Sequence, residues 1–186
     1  DYDNSLKPSV ERLLKIDFQD LDKSGQLAIL RTYSVFMSRN GLPEEKQVHA
    51  IGEQLDPFFP SKDNNLNEEL CRVLCYLDHP SAVQKTIALM KTTKAMIPDF
   101  NTDIMKRNKH YGSRILSSMN ADATPNILNI HLLFCLKGVQ AGWTMKDRKA
   151  YLGELQTLMT KKGGNMFTGY IQKIRESAIA SVPDKD

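Results

Sequence analysis

Residues 65–92 read NLNEELCRVLCYLDHPSAVQKTIALMKT, and this stretch decides the fold. Leu66, Leu70, Cys71, Val73, Leu74 and Leu77 recur at the three- and four-residue spacing of one helix face, so the first half is an amphipathic helix. Asn65, followed three positions later by Glu68, predicts a capping box at its start. His79-Pro80 ends that helix and starts the next, because proline has no amide hydrogen and is tolerated in a first turn but not in an interior. The second helix runs from Pro80 to about Thr92 and presents Val83, Ile87 and Leu89. Helix, tight turn, helix is the α-hairpin, whose apolar faces need further helices to cover them.

Towards the N-terminus the same periodicity continues. A helix is predicted from Pro8 to Ile16 with Val10, Leu13 and Leu14 on one face. Another begins with Asp22 or Ser24 as N-cap, runs through Leu27, Leu30, Val35 and Phe36 to Arg39, and stops at Asn40-Gly41. Pro43 opens a third in its first turn, with Glu44 and Glu45 complementing the helix dipole, and that helix ends near Leu55. Asp56-Pro57-Phe58-Phe59-Pro60 is a rigid loop: its prolines exclude a continuous helix and its Phe rings demand cover. Phe58 and Phe59 therefore either plug the core or form an aromatic docking site.

Towards the C-terminus, residues 92–120 are less regular, and two short helices fit them. After Pro125, the run Ile127, Leu128, Ile130, Leu132, Leu133 and Leu136 is apolar almost all round and predicts the most buried helix. Gly138 and Gly142 sit near its end, Gly142 reading as a helix stop and Trp143 as a large core anchor. Trp143-Thr144 introduces the next helix, with Thr144 as N-cap and Asp147 at its third position, running to about Lys162. Gly163-Gly164 stops it, and Asn165 caps a last helix carrying Phe167, Tyr170, Ile171, Ile174 and Ala178. No segment shows β alternation between hairpin turns, so the chain reads as one all-α domain of antiparallel helix pairs, a short HEAT-like α-solenoid or a compact helical array.

Composition bounds the function. The 186 residues are 41% hydrophobic and 25% charged, which suits a domain that folds on apolar burial alone. The net charge of +3, from 25 basic and 22 acidic residues, lacks the clustered basic face that nucleic acid requires, and the runs 106–110 and 161–162 read as solvated helix ends. No apolar stretch is long enough to span a bilayer. The acidic, polar start without an initiator Met reads as a domain excised from a larger protein. Cys71, Cys75 and Cys135 read as small buried hydrophobes, since a strain-free disulfide between positions four apart on one helix is not expected.

Chemistry-bearing motifs are absent. There is no P-loop, no dinucleotide fingerprint, no His-Glu-x-x-His, no Gly-x-Ser-x-Gly and no Cys-x-x-Cys-His. Asp17-Phe18-Gln19-Asp20 is the nearest thing to a carboxylate pair and reads as a polar helix junction. His131 on an apolar helix reads as a satisfied core histidine, and Tyr111 and His131 stand beside the Phe loop as candidate interaction residues. No catalytic, cofactor-binding or metal-ligating residue is assigned.

Several segments, taken in order, resemble a known family: Leu66 to Leu77, Val83 to Leu89, Tyr111-Gly112, Ile130-His131 through Gly142-Trp143-Thr144, and Gly163-Gly164-Asn165 through Ile174-Arg175, with Gly-Trp-Thr and Gly-Gly-Asn-x-Phe as the strongest pieces. They resemble the HEAT-like helical region of large multi-domain secreted bacterial proteins of the haem-binding or membrane-bound dehydrogenase-like kind. The resemblance implies a periplasmic or extracellular setting and neighbouring β-propeller, cytochrome c or cupredoxin modules. Haem c or copper would then belong to those modules and not to this chain, and no catalytic residue is carried over. The expected function is a non-catalytic helical scaffold that contacts adjoining domains of the same polypeptide or other proteins. The alternative is a helical domain that binds a small molecule or glycan and supports an oxidoreductase.

Overall fold

The structure is a computed structural model that describes residues 7–93, 125–161 and 166–182. The described residues contain eight α-helices: α1 (Lys7–Leu14), α2 (Lys23–Asn40), α3 (Glu45–Leu55), α4 (Asn64–Tyr76), α5 (Ala82–Thr92), α6 (Ile127–Leu136), α7 (Met145–Met159) and α8 (Phe167–Ala180). No strand occurs among them, and the all-α expectation holds. The short helices expected over 92–120, Tyr111, and the Gly163-Gly164-Asn165 corner lie outside the described residues.

Alternate helices pack on one another: α2 on α4, α4 on α6 and α6 on α8, with α1 on α3 and α5 on α7 beside them. Neighbours α3 and α4, α4 and α5, and α7 and α8, together with the contact of α5 with α6, join these rows into a compact helical array. At its centre α4 buries Leu66, Leu70 and Val73 on one stripe and Asn67, Cys71 and Leu74 on the next, so its apolar surface faces several neighbours at once.

Local chemistry sets the helix ends. Asp22 caps α2 by accepting the Gly25 amide at 2.8 Å, and Gly41 (φ 79°) ends it. The start of α4 corrects the sequence expectation: the cap is Asp63, whose carboxylate accepts the amides of Asn65 and Leu66 at 2.9 and 3.2 Å, and Asn65 is already inside the helix. Pro43 likewise lies outside α3, ahead of Glu44 at the cap, and α5 begins at Ala82 after a turn with Asp78 at φ 53°. Helix α6 is not buried all round, since Ile127 and Phe134 are 67% and 39% exposed. Its other face carries the burial, through Leu128, Asn129, Leu132, Leu133 and Leu136.

The 56–60 loop folds inwards. Asp56–Phe58 is a single 3-10 turn, Phe59 is buried, and Phe58 is half-buried with its ring 4.8 Å from that of Phe18. Asn67 closes the segment behind it, accepting the Ser61 amide at 2.6 Å and donating to the Ser61 carbonyl at 2.9 Å.

Connection 137–144 docks on the α4–α5 turn. The Asp78 carboxylate accepts the amides of Gln140 and Ala141 at 2.7 and 2.9 Å, fixing the loop by charge-assisted hydrogen bonds. Gly142 (φ 75°) is no helix stop, because α6 ends at Leu136; it is the point of closest approach, where an added Cβ would stand 2.0 Å from the Pro80 carbonyl oxygen. Glycine is required there for both conformation and space.

Two glycine substitutions separate these roles. Gly142→Ala should cost at least about 1–2 kcal/mol from left-handed strain alone, with the clash in addition. Gly153→Ala, in an exposed interior turn of α7 with nothing near the new methyl, should stabilise by about 0.5–1 kcal/mol. Chemical denaturation of both variants checks the pair of signs.

Candidate functional site

Among the described residues, a dense cluster of titratable and nucleophilic groups lies where α3 ends against the start of α5. The α3 end supplies Gly52, Glu53 and Asp56; the α4–α5 turn supplies His79 and Ser81; and α5 supplies Lys85. Gly52 makes room, since a Cβ there would meet the His79 ring at 2.6 Å. The imidazole Nδ1 stands 3.1 Å from Ser81 Oγ and 3.6 Å from Asp56 Oδ1, and Nε2 lies 3.9 Å from Glu53 Oε1. Ser81 donates its hydroxyl to Asp56. Lys85 Nζ lies 2.8 Å from the Asp56 carboxylate and donates to the Asp56 carbonyl at 2.7 Å.

Serine, histidine and carboxylate in contact invite comparison with a hydrolase triad, but the polarity is wrong. A nucleophilic hydroxyl must direct its proton at the imidazole that removes it. Here the proton is directed at Asp56, which can only accept while ionised, so the hydroxyl oxygen is left to accept from His79 Nδ1–H. Burial would raise the Asp56 carboxyl, but hydrogen bonds from Lys85 and Ser81 and the Lys85 charge outweigh it and hold the carboxyl below its ordinary value. Such a carboxylate is a poor base. The arrangement acts as a polar latch that fastens the 56–58 turn to α5.

A second cluster sits between α4, α5 and α6. Cys71 Sγ is 3.7 Å from Cys75 Sγ and 3.5 Å from Thr86 Oγ1, and Cys135 Sγ is 3.4 Å from His131 Nε2. All three cysteines are free. Burial drives the Cys71 thiol well up, and the neighbouring Cys71 thiol together with burial raises Cys135, so both stay protonated and weakly nucleophilic at neutral pH. His131 Nε2 also lies 3.0 Å from the Glu68 carbonyl, an acceptor only, so this nitrogen carries the proton and ties α6 to α4. The Cys135 hydrogen bond raises the His131 pKa against the opposing effect of burial. Among the described residues no group of three or more His, Cys, Asp or Glu is placed to hold a metal ion.

The remaining sequence candidates scatter. Thr144 caps α7, accepting the Asp147 amide at 3.1 Å and donating to its carboxylate at 2.5 Å. Trp143 is half-buried and not a deep core anchor: its indole N–H donates to Val139 O at 2.8 Å, its ring meets Tyr151 edge-on at 5.4 Å, and Arg148 lies over its face. Phe167 packs half-buried on the core. Phe59, being 2% exposed, is not available as an interaction residue, and Phe58 is largely taken up by Phe18.

The apolar surface left open lies elsewhere, and single-residue inspection of the sequence missed it. Phe134 stacks on Tyr170 at 6.1 Å and 14°, with Lys137 Nζ 3.9 Å above the Phe134 ring. Ile127 stands two turns before Phe134 on α6, and Met166, 83% exposed, one turn before Tyr170. The Phe134–Tyr170 stack, with Ile127 and Met166 exposed further along the same two helices, makes the α6–α8 ridge. No helix among the described residues is long and apolar enough to cross a membrane.

Comparison with protein-family models, with characterised proteins and with solved structures found no match to the chain.

The latch carries a pH signature. A carboxyl with a depressed folded pKa stabilises the fold above its unfolded value, near 3.8, and that contribution is lost as pH falls through the folded value. Asp56→Asn should therefore melt below wild type at about pH 7, with the gap narrowing as the pH falls below 3.8 and through the folded value. Thermal melts across that range provide the check.

Proposed function

We propose that this domain is a non-catalytic helical scaffold whose open helix faces hold neighbouring protein modules. The observation that carries the reading is the exposed Phe134–Tyr170 stack on α6 and α8, with Ile127 and Met166 exposed on the same two helices. Exposed apolar surface of this kind on an otherwise well-satisfied fold marks an interaction face, and aromatic side chains are the usual anchors of one. The polar clusters support the same reading, because Asp56, His79, Ser81 and Lys85 spend their hydrogen bonds on one another and the thiols are held protonated. The resemblance noted in the sequence adds the setting: adjoining modules of a larger extracytoplasmic, dehydrogenase-like protein, which would bring any haem or copper themselves.

Hydrogen exchange tests the reading. In the full-length gene product, amides of 127–136 and 167–174 should exchange more slowly than in the isolated domain, and Phe134→Glu with Tyr170→Glu should abolish the difference. Equal exchange in both forms would remove the ridge as a contact face.

A further inference from the structure

Helix α2 packs on α4 and buries Leu30, Tyr33 and Met37 on one stripe. On the opposite side, by helical spacing, Ala28, Arg31, Thr32, Val35, Phe36 and Arg39 line an open groove of about 540 Å³. Val35 is 44% exposed on its floor, beside Phe36, which is half-buried against the core. Arg31 and Arg39 are exposed, stand about 12 Å apart along the helix, and make no ion pair among the described residues.

An apolar strip set between two guanidinium groups selects its occupant by charge. Arginine pairs with carboxylates and lies on aromatic faces, so the groove suits an aromatic ring flanked by acidic residues and repels a cationic segment. The chain carries a segment of that composition. Residues 1–6 read Asp-Tyr-Asp-Asn-Ser-Leu, with Tyr2 between two carboxylates and no cation. The other residues outside the described ones do not match: 94–124 hold more Lys and Arg than Asp, 162–165 hold no carboxylate, and 183–186 hold no aromatic side chain.

The root of this segment is fixed near the groove. Lys7, the first residue of α1, is tied to the start of α3: its ammonium lies 2.7 Å from Glu44, and its carbonyl accepts from Gln47 Nε2 at 3.1 Å. Only Gly41, Leu42 and Pro43 separate Glu44 from Asn40, the last residue of α2. Residues 1–6 therefore start out from the end of α2 that carries Arg39. The five residues from Lys7 back to Tyr2 span up to about 17 Å when extended, whereas Val35 lies only about 7–8 Å along the helix axis from Asn40.

We propose that residues 1–6 dock in the α2 groove as an intramolecular strap, with the Tyr2 ring on Val35 and Phe36, Asp3 paired with Arg39 and Asp1 paired with Arg31. The chain itself then closes this groove, and the α6–α8 ridge is left for other modules. The inference stands apart from the scaffold reading, because it uses no residue of the ridge.

The test is made on the whole chain with isotope-labelled valine methyl groups. A ring lying on Val35 moves its methyl proton signals upfield. That shift should be lost in Tyr2→Ala, kept in Tyr2→Phe, and lost again when Asp1→Lys and Asp3→Lys are combined. Adding Arg31→Glu and Arg39→Glu to the double lysine variant should restore it, which a purely apolar contact would not do. The signals of Val83 and Val139, buried in other parts of the fold, should stay in place throughout. Val35 signals unmoved by Tyr2→Ala, or a charge reversal that the arginine changes do not rescue, would overturn the proposal. So would an upfield shift that grows with protein concentration, since a second copy of the chain would then be the occupant.

Discussion

Helix α4 has more apolar surface than one neighbour can cover, and that constraint organises the array. Leu70, Val73 and Leu74 are fully buried, each worth about 1.5–3 kcal/mol when removed from water. Their sum is comparable with the whole net stability of an ordinary domain, about 5–15 kcal/mol, so the apolar sides of α4 cannot stand exposed. The solution is to enclose it between α2 and α6, with α3 and α5 as hairpin partners. Those neighbours have apolar faces of their own, which α1, α7 and α8 cover in turn.

Apolar burial of this kind is non-directional, and polar ties supply the register. Tyr33 donates to Gln54 Oε1 at 2.8 Å, and Gln54 donates in turn to Ile16 O at 2.9 Å, pinning the α1–α2 connection to α3. Asn129, 5% exposed, accepts from Thr93 at 2.6 Å and donates to Met90 O and Glu154 at 3.3 and 3.2 Å, joining three helices at one amide. Asp78 and the Asp56 latch do the same for connections. Each bond adds little beyond what water would offer, but leaving its groups buried and unmatched in another packing is costly, so the alternatives are penalised. Against that background of satisfied groups, the α6–α8 ridge is a place where apolar surface is left uncovered among the described residues.

The α6–α8 ridge offers apolar surface with an aromatic component, edged by a cation, Lys137 over Phe134. Surfaces so composed recognise by shape and charge and require no reactive group. The clusters that do contain reactive groups are turned inwards. Cys71 is kept protonated by burial and Cys135 by the Cys71 thiol together with burial, and the Ser81 proton is committed to a carboxylate that Lys85 stabilises.

The amino-acid sequence by itself determined the helices. Leu66 to Leu77 and Val83 to Leu89 follow helical spacing because one face of each must be dry, and Asp22, Gly41 and Thr144 act through atoms within a few residues of themselves. Such effects are local and can be read from neighbours in the chain. What only the tertiary structure decided involves residues far apart in the chain: Asp56 meeting Lys85, Gly142 passing under Pro80, and Ser34 facing Arg72 across a cleft. The capping box expected at Asn65 was displaced to Asp63, because neighbouring polar residues compete for the same amides and the path of the incoming chain chooses among them. The Gly-Trp-Thr stretch stood out in the sequence, but its reason did not, since the carbonyl that forbids a side chain at Gly142 belongs to a different hairpin. Periodicity and capping are properties of neighbouring residues in the chain, whereas pockets, latches and close approaches are properties of how helices cross, and crossing is fixed only when the whole apolar surface of α4 has been covered.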